Sequence, residues 1–88
     1  MTGRRLYADA AGAIPQPEPG DYWRWPNDHW SCVTPNGHGG NLAAHDVVEH
    51  EDGTITVSPS ILISEPVAEG SSKVLWHGYL ERGVWREC

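Results

Sequence analysis

The side chains best suited to metal chemistry are Cys32 and the five histidines of the chain. His29 and Cys32 are separated by two residues, a spacing at which two side chains of one turn or strand end can reach the same metal ion. His45, His50 or His77 could complete a tetrahedral set. Zinc sites usually show paired CxxC or HxxxH ligands, and this chain has neither pair. We therefore expect no cofactor, and a small zinc-stabilised structural domain is the alternative.

Acidic residues and histidines also occur close together, which raises the question of acid–base catalysis. Glu49, Glu51 and Asp52 lie near His45 and His50. The same acidic residues are typical of a solvated hairpin tip, where they discourage edge-to-edge aggregation. The serines lie outside any GxSxG nucleophile motif, and the glycine-rich stretch lacks the GKS or GKT of a phosphate-binding loop. We therefore expect that the protein is not an enzyme.

Aromatic side chains are concentrated in one segment, and the chain has five Trp, three Tyr and no Phe. Trp and Tyr must then supply most of the bulky core, but exposed Trp, Tyr and Arg also dominate protein interfaces. With a period of two, Trp23 and Trp25 point to the same side of a strand. Core and surface roles both stay open for these rings. The predicted binding residues are Tyr22, Trp23, Arg24, Trp25 and Trp30, with the acidic tip Glu49, Glu51 and Asp52.

Length and charge limit the function classes further. The 88 residues carry a net charge of −6 and only 39% hydrophobic residues, which predicts one small domain with a thin core. The acidic charge argues against nucleic acid and against anionic membranes as partners. The apolar runs are too short for a membrane span or a signal peptide, and two cysteines fit a reducing compartment. We therefore expect a soluble cytoplasmic protein whose partner is another protein.

Two β-hairpins are predicted to position these side chains. Residues 45–50 and 54–58 are rich in β-branched residues and flank a Glu-Asp-Gly turn, where Gly53 can adopt a positive φ. A second hairpin is predicted from residues 73–80 and 84–87, joined through Gly83. Pro59 should lie at an edge, a bulge or a corner. The fold class is therefore all-β: a small antiparallel sheet whose two hairpins form a compact sandwich or a partly open barrel.

The segments outside the hairpins are predicted to be irregular. Residues 1–20 mix small residues with three prolines and show no clean periodicity, so they are expected to form a flexible, extended arm. Residues 65–72 are predicted to form a polar, mobile loop. The predicted organisation is an arm over 1–20 followed by a small β domain over 21–88.

The stretch WSCVTPNG, the phrase EHEDGTITVSPSI and the closing WHGYLERGVW resemble a group of small uncharacterised proteins of tailed actinobacterial phages, over residues 29–86. A looser similarity links the chain to proteins with the same DGT-x-x-x-PSI phrase and additional Cys and His residues, which this chain lacks. The resemblance implies a phage origin and residence in the cytoplasm of the bacterial host. We therefore expect a non-enzymatic phage accessory protein that binds a host or phage protein, with inhibition of a host function or defence as one form. Homo-oligomerisation is a further prediction.

Overall fold

The structure, a computed structural model, describes all 88 residues and contains eight strands and no helix. It therefore has no helix of the length and apolarity that crossing a membrane requires. The expected all-β fold is confirmed, in the form of two four-stranded sheets that do not close into a barrel. The first sheet contains β1 (Arg4–Leu6), β2 (Asp21–Arg24), β3 (Trp30–Val33) and β4 (Gly39–Asn41). The second contains β5 (Asp46–Glu49), β6 (Ile55–Ala68), β7 (Ser71–Glu81) and β8 (Val84–Glu87).

The second sheet contains both predicted hairpins, in the order β5-β6-β7-β8. β5 pairs with the first residues of β6, and Gly53 in the connecting turn has a φ of 86°. β7 pairs with β8 across a two-residue turn in which Arg82 and Gly83 both have positive φ. Two consecutive positive φ angles are typical of the type I′ turn, whose twist matches that of the flanking strands. Both hairpin predictions are confirmed.

The central β6–β7 hairpin is longer than the sequence predicts. β6 continues past Pro59 to Ala68, with register shifts at the proline and again further along. The predicted loop over 65–72 is therefore wrong: it contains strand residues on both sides of a tight turn at Glu69 and Gly70. Polar composition misled the prediction, because this end of the hairpin is exposed on both faces and buries no apolar stripe.

The N-terminal segment differs from the predicted flexible arm at its first six residues. β1 pairs in parallel with β2, and Leu6 is buried. The guanidinium of Arg4 donates through Nε and Nη2 to the two carboxylate oxygens of the buried Asp21, at 3.1 and 2.8 Å. This paired contact and the burial of Leu6 fix the start of the chain against the first sheet. The proline-rich residues that follow connect two parallel strands.

The core lies between the two sheets. It draws on Tyr22 and Cys32 of the first sheet, on Leu42, and on the buried residues of β6, β7 and β8. Trp76 and Trp85 meet edge to face with their ring centroids 5.4 Å apart. Each fully buried aliphatic side chain of such a core contributes about 1.5–3 kcal/mol to folding. The core therefore covers one face of each sheet, and exposed groups lie at the ends of the sheets.

Candidate functional site

Arg5 in β1 connects the two sheets at one end of the molecule. Its Nη1 donates to Oε2 of Glu49 at 3.0 Å and to the carbonyl oxygen of Gly53 at 2.9 Å. Its guanidinium carbon lies 4.6 Å from the ring centroid of Tyr7 and 4.7 Å from that of Trp30. The Arg5 side chain is only 11% exposed. A guanidinium between two aromatic rings and beside a carboxylate is stabilised by cation–π attraction and by ion pairing.

Arg24, the last residue of β2, extends this arrangement. Its guanidinium carbon lies 6.0 Å from the Trp30 ring, and its side chain approaches Glu49 at 3.6 Å and Asp28 at 3.7 Å. The order Tyr7, Arg5, Trp30, Arg24 therefore alternates aromatic and cationic side chains, and we call these four residues the cation–aromatic ladder. Glu49 is placed beside both of its cations.

A cleft of about 390 Å³ lies beside the ladder, between the N-terminal segment and the β2–β3 turn, and Tyr7 and Trp25 are among its lining residues. Trp25 is 38% exposed, and its Nε1 donates to Oγ of Ser31 at 2.9 Å. Its ring also meets that of the buried Trp23 edge to face at 5.8 Å. Tyr7 is 63% exposed. The two exposed rings of Tyr7 and Trp25 therefore border the cleft. The contacts with Ser31 and Trp23 orient the Trp25 ring.

The structure separates the predicted aromatic binding residues into two groups. Tyr22 and Trp23 are buried, so their prediction as surface contact residues is wrong. The reason is that both belong to β2, whose first three residues are all buried, and the strand ends at Arg24. Trp25 falls after that end, so strand periodicity no longer relates it to Trp23.

The other predicted residues of the aromatic segment come together with one residue of the acidic tip. Arg24, Trp25, Trp30 and Glu49 all lie at the ladder or the cleft. Sequence reasoning missed Arg5 and Tyr7. The only signal in the sequence was the unusual Arg4-Arg5 pair in an acidic chain, and it did not indicate that the second arginine would be enclosed.

The acidic tip forms a separate polar hollow next to the ladder. Glu51 and Asp52 line it together with Glu49, His50 and Arg82. The carboxylate of Asp52 accepts hydrogen bonds from the hydroxyl and the backbone N–H of Thr54 at 2.6 and 3.0 Å, and these bonds lower the pKa of Asp52. This carboxylate therefore stabilises its own turn, whereas Glu49 faces the arginines.

The histidines predicted as metal candidates have partners within the fold. His50 Nε2 lies 2.7 Å from Oγ1 of Thr56. His45 Nε2 lies 3.1 Å from the carbonyl oxygen of Ser60, and His77 Nε2 lies 3.0 Å from the hydroxyl of the same serine. The partners of all three imidazoles are therefore residues of β6.

The predicted His29–Cys32 pair does not form one ligand cluster. His29 is exposed at the β2–β3 turn, whereas Cys32 is buried in β3, where burial raises the pKa of its thiol to about 12. Nowhere does the structure bring three or more His, Cys, Asp or Glu side chains into an arrangement that could hold a metal ion.

The ladder and the cleft offer aromatic rings, guanidinium groups and carboxylates for non-covalent contacts. Two exposed rings, two paired guanidinium groups and several carboxylates lie on one surface built from three parts of the chain. Comparison with protein-family models, curated proteins and solved structures finds no match for the chain.

Proposed function

We propose that this chain is a non-enzymatic accessory protein that binds another protein through the cation–aromatic ladder and the adjoining cleft. The observation that carries the proposal is the exposure of Tyr7 and Trp25 at the mouth of the cleft, while Trp23, Trp76 and Trp85 are buried. Tyr, Trp and Arg are the side chains most enriched among the residues that dominate binding energy. Burying these two rings as well would stabilise a domain with so thin a core. Their position at the surface therefore supports a binding role.

Preorganisation of the surface supports the same function. Trp25 is oriented by its hydrogen bond to Ser31, and the Tyr7 ring lies against the enclosed guanidinium of Arg5. Side chains that are already ordered lose little conformational entropy on binding. The ladder and the cleft therefore offer a partner two rings that are already ordered before binding.

The biological setting follows from the resemblance to small proteins of tailed phages. In this proposal the chain originates from a phage or prophage and acts in the cytoplasm of the bacterial host. Its partner is a host or phage protein, and interference with a host function or defence is the purpose that such binding would serve. The acidic charge of −6 is consistent with a protein partner and disfavours nucleic acid.

A capture experiment with matched variants tests the proposal. Tagged wild-type protein, the double variant Tyr7→Ala/Trp25→Ala and the control Val74→Ala are incubated with lysate of an actinobacterial host, and bound proteins are quantified by mass spectrometry. Val74 is exposed near the far end of the β6–β7 hairpin, so the control removes apolar surface of similar kind elsewhere. Circular dichroism and the thermal midpoint establish that all three proteins are folded.

The expected result is one protein recovered stoichiometrically by wild type and by Val74→Ala, and lost with the double variant. Equal recovery by all three proteins would exclude the ladder and cleft as the binding surface. Light scattering on the same samples tests self-association: a dimer that the double variant dissociates identifies a second copy of the chain as the partner.

A further inference from the structure

The lining of the cleft holds two cations and two carboxylates, and Glu49 beside it raises the number of carboxylates to three. Arg5 and Arg24, the two cations of the lining, both face Glu49, at 3.0 and 3.6 Å. Asp28 is 82% exposed and has Arg24 at 3.7 Å, and Asp9 is a further carboxylate of the lining. Together these three carboxylates outnumber the two guanidinium groups by one, and the excess has the sign of the whole chain. Asp9 pairs with neither arginine, because its Oδ1 accepts the backbone N–H groups of Ala11 and Ala13, each at 2.9 Å. A cationic group entering the cleft would offset this excess.

The ladder also has an open end. At its closed end Arg24 is bordered by Asp28 and Glu49. At the other end Tyr7 contacts Arg5 at 4.6 Å, and most of its ring remains exposed. A guanidinium or ammonium group placed on the exposed part of this ring would repeat the contact that Arg5 already makes. The alternation of ring and cation thus leaves a place for one more cation.

We infer that the partner presents a basic segment, whose Arg or Lys side chain contacts the exposed Tyr7 ring while neighbouring residues enter the cleft beside Trp25. This inference rests on the proposed function and adds the chemistry of the partner to it. A cleft of about 390 Å³ lies in the size range of ligand sites and accommodates a short stretch of chain. Asp9 and Asp28 supply the charges that face the segment.

Titration of the full-length protein with two synthetic peptides tests the inference. The first is the capped hexapeptide acetyl-Gly-Arg-Ala-Arg-Ala-Gly-amide. In the second, citrulline, a neutral analogue of the same shape, replaces both arginines. Binding to the ¹⁵N-labelled protein is followed by NMR at the Trp25 indole and the Tyr7 amide. Asp28→Asn removes a carboxylate of the cleft, and Glu65→Gln, on the exposed β6–β7 hairpin, is the matched control.

The arginine peptide should shift both resonances, and the citrulline peptide should bind about tenfold more weakly. Asp28→Asn should weaken binding of the arginine peptide about two- to fivefold, a loss that added salt reproduces and that Glu65→Gln does not. Equal affinity for the two peptides, or no shift at Trp25 with the arginine peptide, overturns the inference. The capture experiment separates the two proposals: a partner whose recovery depends on Tyr7 and Trp25 but not on Asp28 leaves the proposed function standing alone.

Discussion

Glu49→Gln removes the negative charge beside Arg5 while keeping the size of the side chain. Arg5 is 11% exposed, so the substitution leaves its guanidinium nearly enclosed without a carboxylate at 3.0 Å. Its hydrogen bond to the carbonyl of Gly53 remains, and its buried Nε has no hydrogen-bond partner in either case. The folded state would then hold a partly desolvated cation that unfolding returns to water. We therefore expect the free energy of unfolding to fall.

The size of this effect lies between two limits. Exposed ion pairs contribute about 0.2–1 kcal/mol, whereas breaking a fully buried pair costs about 3–5 kcal/mol. Arg5 is close to the buried limit, but the Glu49 side chain is 40% exposed, so solvent screens the lost interaction. Arg24 also loses a neighbour at 3.6 Å, and its own exposure makes that loss small. We expect a loss of about 1–2 kcal/mol, which lowers the thermal midpoint by about 5–15 °C in a domain of this size.

Urea unfolding followed by tryptophan fluorescence measures the change. Glu51→Gln is the matched control, because Glu51 is exposed on the same turn and forms no ion pair; it should change stability by less than about 0.5 kcal/mol. Adding Arg5→Met to Glu49→Gln should recover part of the loss, because the enclosed charge is removed with its partner. Equal stability of Glu49→Gln and Glu51→Gln would show that Glu49 does not hold Arg5, and the ladder as described would be wrong.

Three further predictions concern the core. Ile61→Ala should lower the free energy of unfolding by about 3 kcal/mol in urea titrations, whereas Leu62→Ala, at its exposed neighbour, should change it little. Native protein at about pH 8 should react with a thiol reagent at the exposed Cys88 but not at Cys32. Because burial raises the pKa of Cys32 from 9.0 to about 12, its thiol ionises first in the unfolded chain, so stability should fall as the pH rises through that window. In the Cys32→Ala variant, stability should fall less as the pH rises through this window. An unchanged pH dependence would show that ionisation of Cys32 does not cause the loss.

The two hairpins were predictable because their signals are local. The β-branched residues and the turn glycine at Gly53 lie within a few positions of each other, and so do the strands joined at Gly83. The pairing of β1 with β2 had no such signal. Arg4 and Asp21 are seventeen residues apart, and the proline-rich stretch between them gives no periodicity that would indicate a parallel pair. The chain start was therefore predicted as an arm.

The site was predictable in part for the same reason. Trp30 and Glu49 are prominent in the sequence through their residue types, and the fold brings them to the same enclosed guanidinium, that of Arg5. No sequence signal near Trp30 or Glu49 indicates Arg5 as their partner, because the contact depends on where β1 lies relative to the second sheet. The burial of Trp23 and the exposure of Trp25 could not be predicted from periodicity either. β2 ends between the two residues, and periodicity does not show where a strand ends.

One residue of the proposed surface, Arg5, also links the two sheets, and this decides which substitutions are informative. Arg5 joins β1 to β5 through Glu49 and to the β5–β6 turn through Gly53, so its loss would change a contact between the sheets and the ladder at once. Tyr7 and Trp25 lie at the outer edge of the same arrangement. Tyr7 is mostly exposed, whereas Trp25 is 38% exposed and also contacts Trp23 and Ser31. A binding defect in a Tyr7 or Trp25 variant of unchanged stability therefore reports on the surface itself, whereas the same defect in an Arg5 variant would not distinguish lost contacts from a displaced β1.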